Sequence, residues 1–386
     1  MRIEGRKKRK AKVNEMNTKI RIGTRSSDLS VAQTMLVIKA IQERFPGTEA
    51  EIVCRKTVGD KILDKPLQAF GGKGVFVSEF EEALLNGEID FAVHSAKDLP
   101  LELADGLEIV GALSRGDVRD VLVTLNGSDG EIRGNEPGSE TVIIGTSSLR
   151  RKIQIEELAG NLWPGKSVVC KILRGNVLTR LKRLEQGDYD AVILAAAGLS
   201  RLGILEEKKD VYHFHYLSEE EMIPAAGQGI LVAEGRKGEE KNRFVREISD
   251  PEAMRQLWME RRVLSLLHAG CHEPVGVYGR ADPEKSELCL TGIYEKDGKR
   301  RRAEVRKQIV QAGKEAIQAG KEAFGLEKAQ YKNHTQKMND EIRVLQEMEE
   351  AAWEMACELV GGEENLPGRE TKKKRSDNDK GGGGDE

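Results

Sequence analysis

Two stretches of the sequence decide the fold: KIRIGTRSS at residues 19–27 and TVIIGTSSLRR at residues 141–151. Each begins with the apolar pattern of a strand, and each leads into hydroxyl side chains and arginine where a helix is expected to begin. The residues that follow each stretch repeat the same alternation of helix and strand. Such alternation predicts a mostly parallel sheet that binds ligands at the carboxyl ends of its strands. Two runs of this kind predict two α/β domains that face a cleft.

Apolar periodicity and turn residues place the predicted elements of these runs and of a third region. In the first run the sequence predicts strands at 19–24, 51–56, 91–94, 107–113 and 120–125, and helices at 31–44 and 77–85. In the second run it predicts strands at 141–146, 167–173 and 191–196, and a helix at 177–185. Further along, a helix at 253–267 and strands at 275–279 and 288–294 predict a small third domain.

The length and composition narrow the possible classes of protein. A chain of 386 residues corresponds to two or three domains, at about 150 residues each. Aromatic residues make up only 4%, which argues against a surface that stacks nucleic-acid bases. The sequence has no run of about 18 apolar residues, so no transmembrane helix is expected. Five widely spaced cysteines, an odd number, indicate a reduced, cytoplasmic protein rather than a disulfide framework.

The two ends of the chain differ from the middle. Residues 1–17 form a basic extension without the apolar segment of a secretory signal, and we expect it to be solvated and disordered. The sequence QAGKEA occurs twice within 311–323, which predicts a polar helical insertion near 302–340. An amphipathic helix is predicted at 341–359, and residues 363–386 have the composition of a disordered tail. An alternative role for the basic ends is nucleic-acid binding, which would be sensitive to salt.

Basic side chains gather where the predicted strands end. Hydroxyls, backbone N–H groups and arginine at a strand-to-helix turn form a site for an anion. The arginines concerned are Arg25, Arg115, Arg119, Arg150, Arg151, Arg174, Arg180 and Arg201. The planar fork of arginine suits carboxylates better than lysine does, so the expected ligand carries several carboxylates. The phosphate-loop pattern GxxxxGK[ST] does not occur, and GGKG at 71–74 is interpreted as a flexible basic loop.

Two residues stand out as candidates for chemistry. Asp98 in VHSAKDLP follows a predicted buried strand, and it is either a turn residue or a carboxylate that stabilises cationic intermediates and moves protons. Cys271 in GCHEPVG lies in a turn, which makes it a better nucleophile or attachment point than Cys54 or Cys170 in strand-like runs. A metal site is not expected, because the HFH stretch at 213–215 has no third ligand at suitable spacing.

Over about residues 19–294 the sequence resembles the porphobilinogen deaminase family, also called hydroxymethylbilane synthases. The strings that carry the resemblance occur in the order of the family: GTRSS, GGKGVFVSEFEEALL, DFAVHSAKDLP, GTSSLRR, LRGNVLTRL, AAAGLSRLG, PAAGQG and GCHEPVG. The resemblance implies two α/β domains like those of type II periplasmic binding proteins, flanking a cleft, and a small α+β C-terminal domain. The implied boundaries are 18–116 with 228–248 for domain 1, 117–227 for domain 2 and 249–362 for domain 3.

The resemblance also implies an activity. A dipyrromethane cofactor, held by a thioether to Cys271, would be a covalent primer for four porphobilinogens, each losing ammonia, before hydrolysis releases hydroxymethylbilane. Asp98 matches the catalytic carboxylate of the family, and Lys73 belongs to a loop over the cleft. The other residues that match positions binding cofactor or substrate are Arg25, Ser27, Ser95, Lys97, Thr146, Ser147, Ser148, Arg150, Arg151, Arg174, Gly175, Arg180, Arg201 and Gln228.

The partners that the resemblance implies are porphobilinogen as substrate and a uroporphyrinogen-III synthase that receives the product. It further implies a cytoplasmic, monomeric transferase of porphyrin and heme biosynthesis that binds neither nucleic acid nor membrane. A different class remains as the alternative, a noncatalytic protein that binds an anion in the same cleft. The presence of both Asp98 and Cys271 argues against that alternative. The sequence departs from the family in residues 1–16, which precede its usual start, and in residues 302–340.

Overall fold

The computed structural model describes residues 18–55, 77–126, 140–270, 273–282, 287–308 and 336–367. In chain order the strands are β1 (Lys19–Arg25), β2 (Glu49–Arg55), β3 (Phe91–Ser95), β4 (Leu107–Ala112), β5 (Asp120–Leu125), β6 (Thr141–Gly145), β7 (Ser167–Lys171), β8 (Ala191–Ala195), β9 (Tyr212–Leu217), β10 (Leu231–Arg236), β11 (Val275–Asp282), β12 (Glu287–Lys296) and β13 (Lys299–Gln308). The α-helices are α1 (Asp28–Arg44), α2 (Ser78–Leu85), α3 (Leu149–Leu162), α4 (Val177–Glu185), α5 (Ala196–Arg201), α6 (Ile204–Glu207), α7 (Asn242–Arg246), α8 (Pro251–Leu267) and α9 (Gln336–Val360). Within the described ranges, short 3₁₀ turns lie at Ala96–Asp98 and Glu363–Asn365.

The first two sheets have five strands each and the same arrangement. The first sheet has the order β2-β1-β3-β10-β4, and the second has the order β7-β6-β8-β5-β9. In each sheet the fourth strand of the order, β10 or β5, runs antiparallel to both of its neighbours. Since β5 follows β4 in the chain and β10 follows β9, the two sheets exchange a strand. The chain therefore crosses between them twice, at residues 113–119 and at residues 218–230.

Side-chain caps begin several of the helices directly after the strands. The Ser27 hydroxyl accepts from the Ser30 N–H at the start of α1, and the Ser148 hydroxyl accepts from the Arg151 N–H at the start of α3. Asn176 caps α4 in the same way, with its side chain accepting from the Thr179 N–H. A cap of this kind satisfies one of the N–H groups that have no partner inside the helix. The polar turns thus lie at the carboxyl ends of the strands, where the sequence predicts an anion site.

The third sheet is antiparallel, with the order β11-β12-β13, and it packs against α8 and α9. Its core includes Met259 from α8, Leu290 from β12 and Met355 from α9, all fully buried. Asp250 caps α8 by accepting from two backbone N–H groups, and Pro251 occupies a first-turn position where its missing N–H costs nothing. The predicted fold class, two α/β units and a small third unit, is confirmed by these three sheets.

The prediction of a helical insertion at 302–340 is wrong for its first part. Residues 302–308 lie in β13, which pairs with β12 through a two-residue turn at Asp297 and Gly298. Both turn residues have positive φ, 52° and 71°, as the tight turn of a hairpin requires. The Asp-Gly pair signals this hairpin in the sequence, but β13 is mostly charged and does not look like a strand: Val305 is its one buried residue, and Ala303 packs partly buried against the same core.

The C-terminal part of the chain also differs from expectation. The predicted helix at 341–359 begins earlier, as α9 from Gln336. The predicted disordered tail begins too early at 363, because Leu366 is buried in the core of the third unit. The predictions for residues 1–17, for the duplicated stretch within 309–335 and for residues 368–386 lie outside the described residues.

Besides β13, the strands β9 and β10 are missing from the sequence prediction. β10 is nearly all buried, and its middle contains Glu234 and Gly235, which break an apolar run. The predicted helix at 253–267 starts two residues earlier, at Pro251. Within the described ranges, none of the helices has the length and apolarity that crossing a bilayer demands.

Candidate functional site

The two crossing segments meet and fix the two sheets side by side. The Gly116 N–H donates to the Gly229 carbonyl over 3.1 Å. Gly229 has φ +87°, and a Cβ at this position would lie 2.6 Å from the Gly116 carbonyl oxygen, so only glycine fits. This close approach brings the carboxyl ends of β3 and β8 to the same cleft. The turn residues of both sheets can therefore act on one ligand.

On the first sheet, the 3₁₀ turn Ala96–Asp98 follows β3 directly. The Ala96 N–H donates to the Ile230 carbonyl over 3.0 Å, which fixes the start of the turn. The hydroxyl of Ser95, just before the turn, accepts from Gln33 Nε2 on α1 over 3.1 Å. Asp98 itself is exposed, and its carboxylate makes no hydrogen bond to any described residue. The turn thus presents a carboxylate to the cleft on an anchored backbone.

Lys97 and Gln228 connect this turn to the second sheet. Lys97 Nζ donates to Gln228 Oε1 over 3.4 Å. Gln228, which is fully buried, donates through Nε2 to the Val118 carbonyl at 2.7 Å and to Asp120 Oδ1 at 3.2 Å. A continuous polar chain therefore runs from the Asp98 turn to the start of β5.

Asp120 holds the two arginines at the start of α3. Arg150 Nη2 donates to Asp120 Oδ2 over 2.7 Å, and Arg151 Nη2 donates to Asp120 Oδ1 over 2.7 Å. Arg151 Nε also donates to Asp120 Oδ1, and the Nη1 groups of Arg150 and Arg151 donate to the backbone carbonyls of Ile223 and Ile193, respectively. Burial alone would raise the pKa of Asp120, but the two guanidinium groups, with a smaller contribution from Lys97, lower that pKa to about 2.

This pairing changes how Arg150 and Arg151 can act. The sequence predicts that they grip ligand carboxylates through open forks. In the structure both forks face Asp120 and backbone carbonyls, so the two arginines contribute positive charge and a fixed helix start. Their direct binding to a ligand stays a prediction, and it requires the ligand to compete with Asp120.

Three further arginines of the second sheet lie around the same cleft. Arg180 Nε donates to the Gly175 carbonyl over 2.8 Å, and Arg201 Nη2 donates to the Gly229 carbonyl over 2.5 Å. Gly175 adopts φ +107°, a conformation in which a residue with a side chain would be strained. Arg174 makes no hydrogen bond or ion pair with the residues that the structure describes.

Burial lowers the pKa values of several of these cations. It lowers the pKa of Arg180 to about 10, with Arg151 acting in the same direction and Asp98 against it. Burial also lowers the pKa of Arg201 to about 10. Burial lowers the pKa of Lys97 to about 8, and among the neighbouring charges Asp98 opposes this shift most strongly. The side chains of the two sheets therefore act on one another across the cleft, and each buried cation would be stabilised by an added anion.

The hydroxyl residues of the site have local structural partners. Ser27 and Ser148 cap helices, as described above, and Ser147 Oγ donates to the Leu173 carbonyl over 2.8 Å. Thr146 Oγ1 accepts from the Ser148 N–H over 3.2 Å. Arg25 ends β1 and is half-buried, on the first sheet's side of the cleft. These residues surround the site, and their contact with a ligand stays a prediction.

Cys271 and Lys73 lie outside the described residues, but the structure places both flanks of Cys271. Helix α8 ends at Leu267, and the chain resumes at Glu273, whose carboxylate accepts from the Tyr294 hydroxyl over 2.6 Å. Burial, the hydrogen bond and the charge of Glu273 raise the pKa of Tyr294 well above its usual range. Glu273, two residues after Cys271 in the chain, is thus bonded to the third sheet.

Sequence reasoning missed Asp120 and the pair formed by Arg115 and Glu260. Asp120 had a signal, since an aspartate at the start of a predicted buried strand must find a partner. Arg115 was counted among the ligand-binding arginines, but it binds the fully buried Glu260 of α8. Nothing in the sequence placed these two residues together. Among the described residues there is also no group of His, Cys, Asp and Glu side chains that could hold a metal ion.

We define the cationic cluster as Lys97, Arg150, Arg151, Arg174, Arg180 and Arg201. The carboxylates that share the cluster's surroundings are Asp98 and Asp120. Cations taken out of water without partners are costly, so a site with this imbalance suits a ligand that brings several carboxylates. A dipyrromethane brings two carboxylates on each pyrrole ring, and the residues present therefore fit that group.

Fold and site together define a class: an α/β protein with two similar sheets that share a cluster of buried cations. The family model "Porphobilinogen deaminase, dipyromethane cofactor binding domain" matches residues 20–243, and the model "Porphobilinogen deaminase, C-terminal domain" matches residues 254–325. The chain belongs to the porphobilinogen deaminase family.

Similar proteins named porphobilinogen deaminase occur in several bacteria. The protein of Acetivibrio thermocellus is 44% identical over 282 residues, which cover 73% of this chain and 89% of that protein. The protein of Ruminiclostridium josui is 42% identical and covers 72% of this chain and 87% of its own. The protein of Geobacter sulfurreducens is 42% identical, with coverage of 73% and 83%. The similarity therefore extends over most of each relative.

Proposed function

We propose that this protein is a transferase that joins four porphobilinogen molecules head to tail on a covalent dipyrromethane and then releases hydroxymethylbilane by hydrolysis. The observation that carries the proposal is the cationic cluster, which gathers side chains from both sheets, and two of its members, Lys97 and Arg180, interact with the charge of the exposed carboxylate of Asp98. Family membership agrees with it, because the matched domain is the one that binds this cofactor.

The cationic cluster would bind the acidic side chains of the cofactor and of the growing chain. Arg174 is the member best placed to offer a free fork, since it has no partner among the described residues. Lys97, Arg180 and Arg201 are held by single contacts and keep donors for a ligand. Arg150 and Arg151 would add positive charge to the site while their ion pairs with Asp120 hold them in place. Binding of this kind orients the substrate with respect to Asp98.

Asp98 would act on the positive charge that the reaction creates. The aminomethyl group reacts in its protonated, ammonium form: its carbon–nitrogen bond breaks, ammonia leaves with the bonding electrons, and the positive charge remains on the substrate as a cation. When bound, the dipyrromethane supplies the pyrrole carbon that forms the new carbon–carbon bond. Asp98 stabilises the cation, and its carboxylate then helps to move the proton that is lost from the attacked carbon. The exposed position of Asp98 on an anchored turn suits this role.

Cys271 would attach the cofactor through its sulfur. Helix α8 ends four residues before Cys271, and Glu273, two residues after it, is bonded to Tyr294. Cys170, by contrast, lies on β7, and burial raises the pKa of its thiol to about 11, which makes it a poor nucleophile. The two cysteines therefore form a matched pair for an experiment.

The test is the intact mass of the purified protein together with its turnover of porphobilinogen. We expect an adduct equal to two porphobilinogens less two ammonias, mapped to Cys271, and we expect Cys271→Ser to purify without it and without activity. Cys170→Ser is the control and should keep both. A protein that binds porphobilinogen without consuming it would instead be the noncatalytic anion-binding protein.

Three finer statements belong to the same proposal. The protein acts in the cytoplasm, for which the few, widely spaced cysteines are the support. It works as a monomer, and it passes hydroxymethylbilane to a uroporphyrinogen-III synthase. Sedimentation of the loaded enzyme tests the monomer, and product capture in a mixture with such a synthase tests the transfer.

A further inference from the structure

The backbone of the turn that carries Asp98 is held by hydrogen bonds both before and after Asp98. Before Asp98, the Ala96 N–H donates to the Ile230 carbonyl. After Asp98, the guanidinium of Arg261 donates to three successive carbonyls, those of residues 99–101, at 3.3, 2.6 and 2.8 Å. Since the Asp98 carboxylate makes no hydrogen bond to any described residue, the position of its backbone decides where it points.

The sequence around Asp98 explains why three carbonyls converge on one side chain. Leu99 is extended, with φ −81° and ψ 133°, and Pro100 has no N–H to offer to a strand or helix. The carbonyls of this segment therefore need donors from elsewhere. An arginine, with five N–H donors in a fixed fork, can serve all three, whereas a lysine has one nitrogen for them.

Arg261 is held from its other side by charge. It lies on α8, and burial lowers its pKa to about 10, while Glu234 on β10 favours its charged form. Glu234 is fully buried, and its Oε2 forms a hydrogen bond with His94 Nε2 over 3.0 Å. His94 lies on β3, four residues before Asp98. Glu234 thus bonds to the His94 end of the segment, and Arg261, which interacts with the charge of Glu234, bonds to its Leu101 end.

We propose that Arg261 is a positioning residue that holds the Asp98 carboxylate in its working place. The inference rests on the proposed function, because it assumes that Asp98 acts on the substrate. It goes further, because it assigns a part in the reaction to a helix outside both five-stranded sheets. Helix α8 ends four residues before Cys271, so Arg261 ties the helix that leads to the attachment point to the turn of the carboxylate.

The experiment compares Arg261→Met and Arg261→Lys with Arg262→Met in the full-length, cofactor-loaded protein. Arg262 is the neighbour of Arg261, but it pairs with Glu349 on α9 and does not contact the Asp98 turn. We expect kcat to fall about 10- to 100-fold in Arg261→Met, with KM for porphobilinogen within about twofold, because a small displacement of a catalytic group costs this much. Arg261→Lys should recover part of the loss, and Arg262→Met should stay within about twofold of the original protein.

A second measurement separates positioning from general damage. Hydrogen exchange of the backbone amides in residues 96–104 should become faster in Arg261→Met and unchanged in Arg262→Met. If Arg261→Met does not fold, Arg261→Lys is measured with the same expectations of direction. Unchanged exchange and unchanged kcat in the folded Arg261 variants would overturn the inference.

A double variant distinguishes this inference from the proposed function itself. If Arg261 acts only through Asp98, Arg261→Met should add little to the loss already caused by Asp98→Asn. If the rate of the double variant falls by the product of the two single losses, the inference is overturned, while the role of Asp98 stands. If Asp98→Asn alone loses no activity, the proposed role of Asp98 is what fails, and the exchange measurement still decides whether Arg261 holds the turn.

Discussion

Arg115 and Glu260 form a buried ion pair, 2.6 Å between Nη1 and Oε1, that joins a crossing segment to the helix that leads to Cys271. Glu260 has no exposed surface and also accepts from the N–H groups of Gly227, in the second crossing, and Gly279, in the third sheet. The guanidinium of Arg115 lies 5.0 Å from the centre of the Tyr278 ring. One carboxylate therefore fastens both crossings and the third unit together.

Replacing Glu260 should destabilise the whole junction. Glu260→Gln leaves Arg115 buried without its counter-charge, and breaking a buried pair in this way typically costs about 3–5 kcal/mol. We expect a loss of that size in the free energy of unfolding, measured by urea denaturation. Glu349→Gln, which breaks the partly exposed pair with Arg262, is the control and should cost about 1 kcal/mol or less. Equal losses in the two variants would contradict the importance of the Glu260 junction.

Asp98→Asn should fold and keep its cofactor but lose turnover. The change is nearly isosteric and removes the charge that would stabilise a cationic intermediate, so we expect a loss of about 10²–10³ in rate. Asp98→Glu should retain more activity, because it keeps the charge at a shifted position. Glu102→Gln, an exposed change in the loop that follows, should leave steady-state rates unchanged. A rate close to the original in Asp98→Asn would make Asp98 a turn residue only.

The open forks of the cationic cluster should matter for elongation. Arg174→Lys and Arg180→Lys keep the charge and lose the bidentate geometry, so we expect about a tenfold loss in rate or more, with stalled chains visible by mass spectrometry. Arg183→Lys is the matched control, because Arg183 lies on the same helix as Arg180 but pairs with Asp188 at the surface. Stalled chains in Arg183→Lys as well would show that the loss comes from changing helix α4 and not from losing the fork of a cluster arginine.

Asp120 should make stability depend on acid pH. Its pKa is lowered to about 2 in the folded protein, against 3.8 in an unperturbed aspartate, so the folded state binds the proton less readily. The stability from this group, about 2–3 kcal/mol, is fully present above about pH 4 and is lost as the pH falls towards 2. We expect the difference in unfolding free energy between the original protein and Asp120→Asn to shrink over that interval. Asp188→Asn, at the surface, should show a much smaller change.

The sequence predicted most elements of the two large sheets because their strands are apolar and their helices begin at hydroxyl residues such as Ser27 and Ser148. It did not predict β10, since a buried glutamate and a glycine interrupt its apolar pattern. It did not predict β13, because ion pairs such as that of Arg306 with Glu287 occupy a strand that shows few apolar residues. Polar residues that are satisfied by a distant partner look like surface residues in a sequence.

For the site, local patterns indicated which residue types gather and where strands end. They could not indicate that Arg150 and Arg151 share Asp120, or that Arg115 binds Glu260 across 145 residues of chain. These pairings depend on the crossings between the sheets, which have no local signal. The same holds for Arg261, which contacts carbonyls about 160 residues earlier.

The exchange of strands between the two sheets has a consequence for synthesis on the ribosome. Among the described strands of the first sheet, β4 pairs only with β10, and β3 has β10 as its neighbour on that side. Strand β10 is available only when residue 236 has left the exit tunnel. Until then, the first sheet has an open edge on β3 and an unpaired β4, and the whole of the second sheet is synthesised during this time. Open edges of this kind invite association between nascent chains. A delay in translation between residues 126 and 231 would thus lengthen the period of greatest exposure, and a chaperone that covers β3 and β4 during that interval would raise the yield of folded protein.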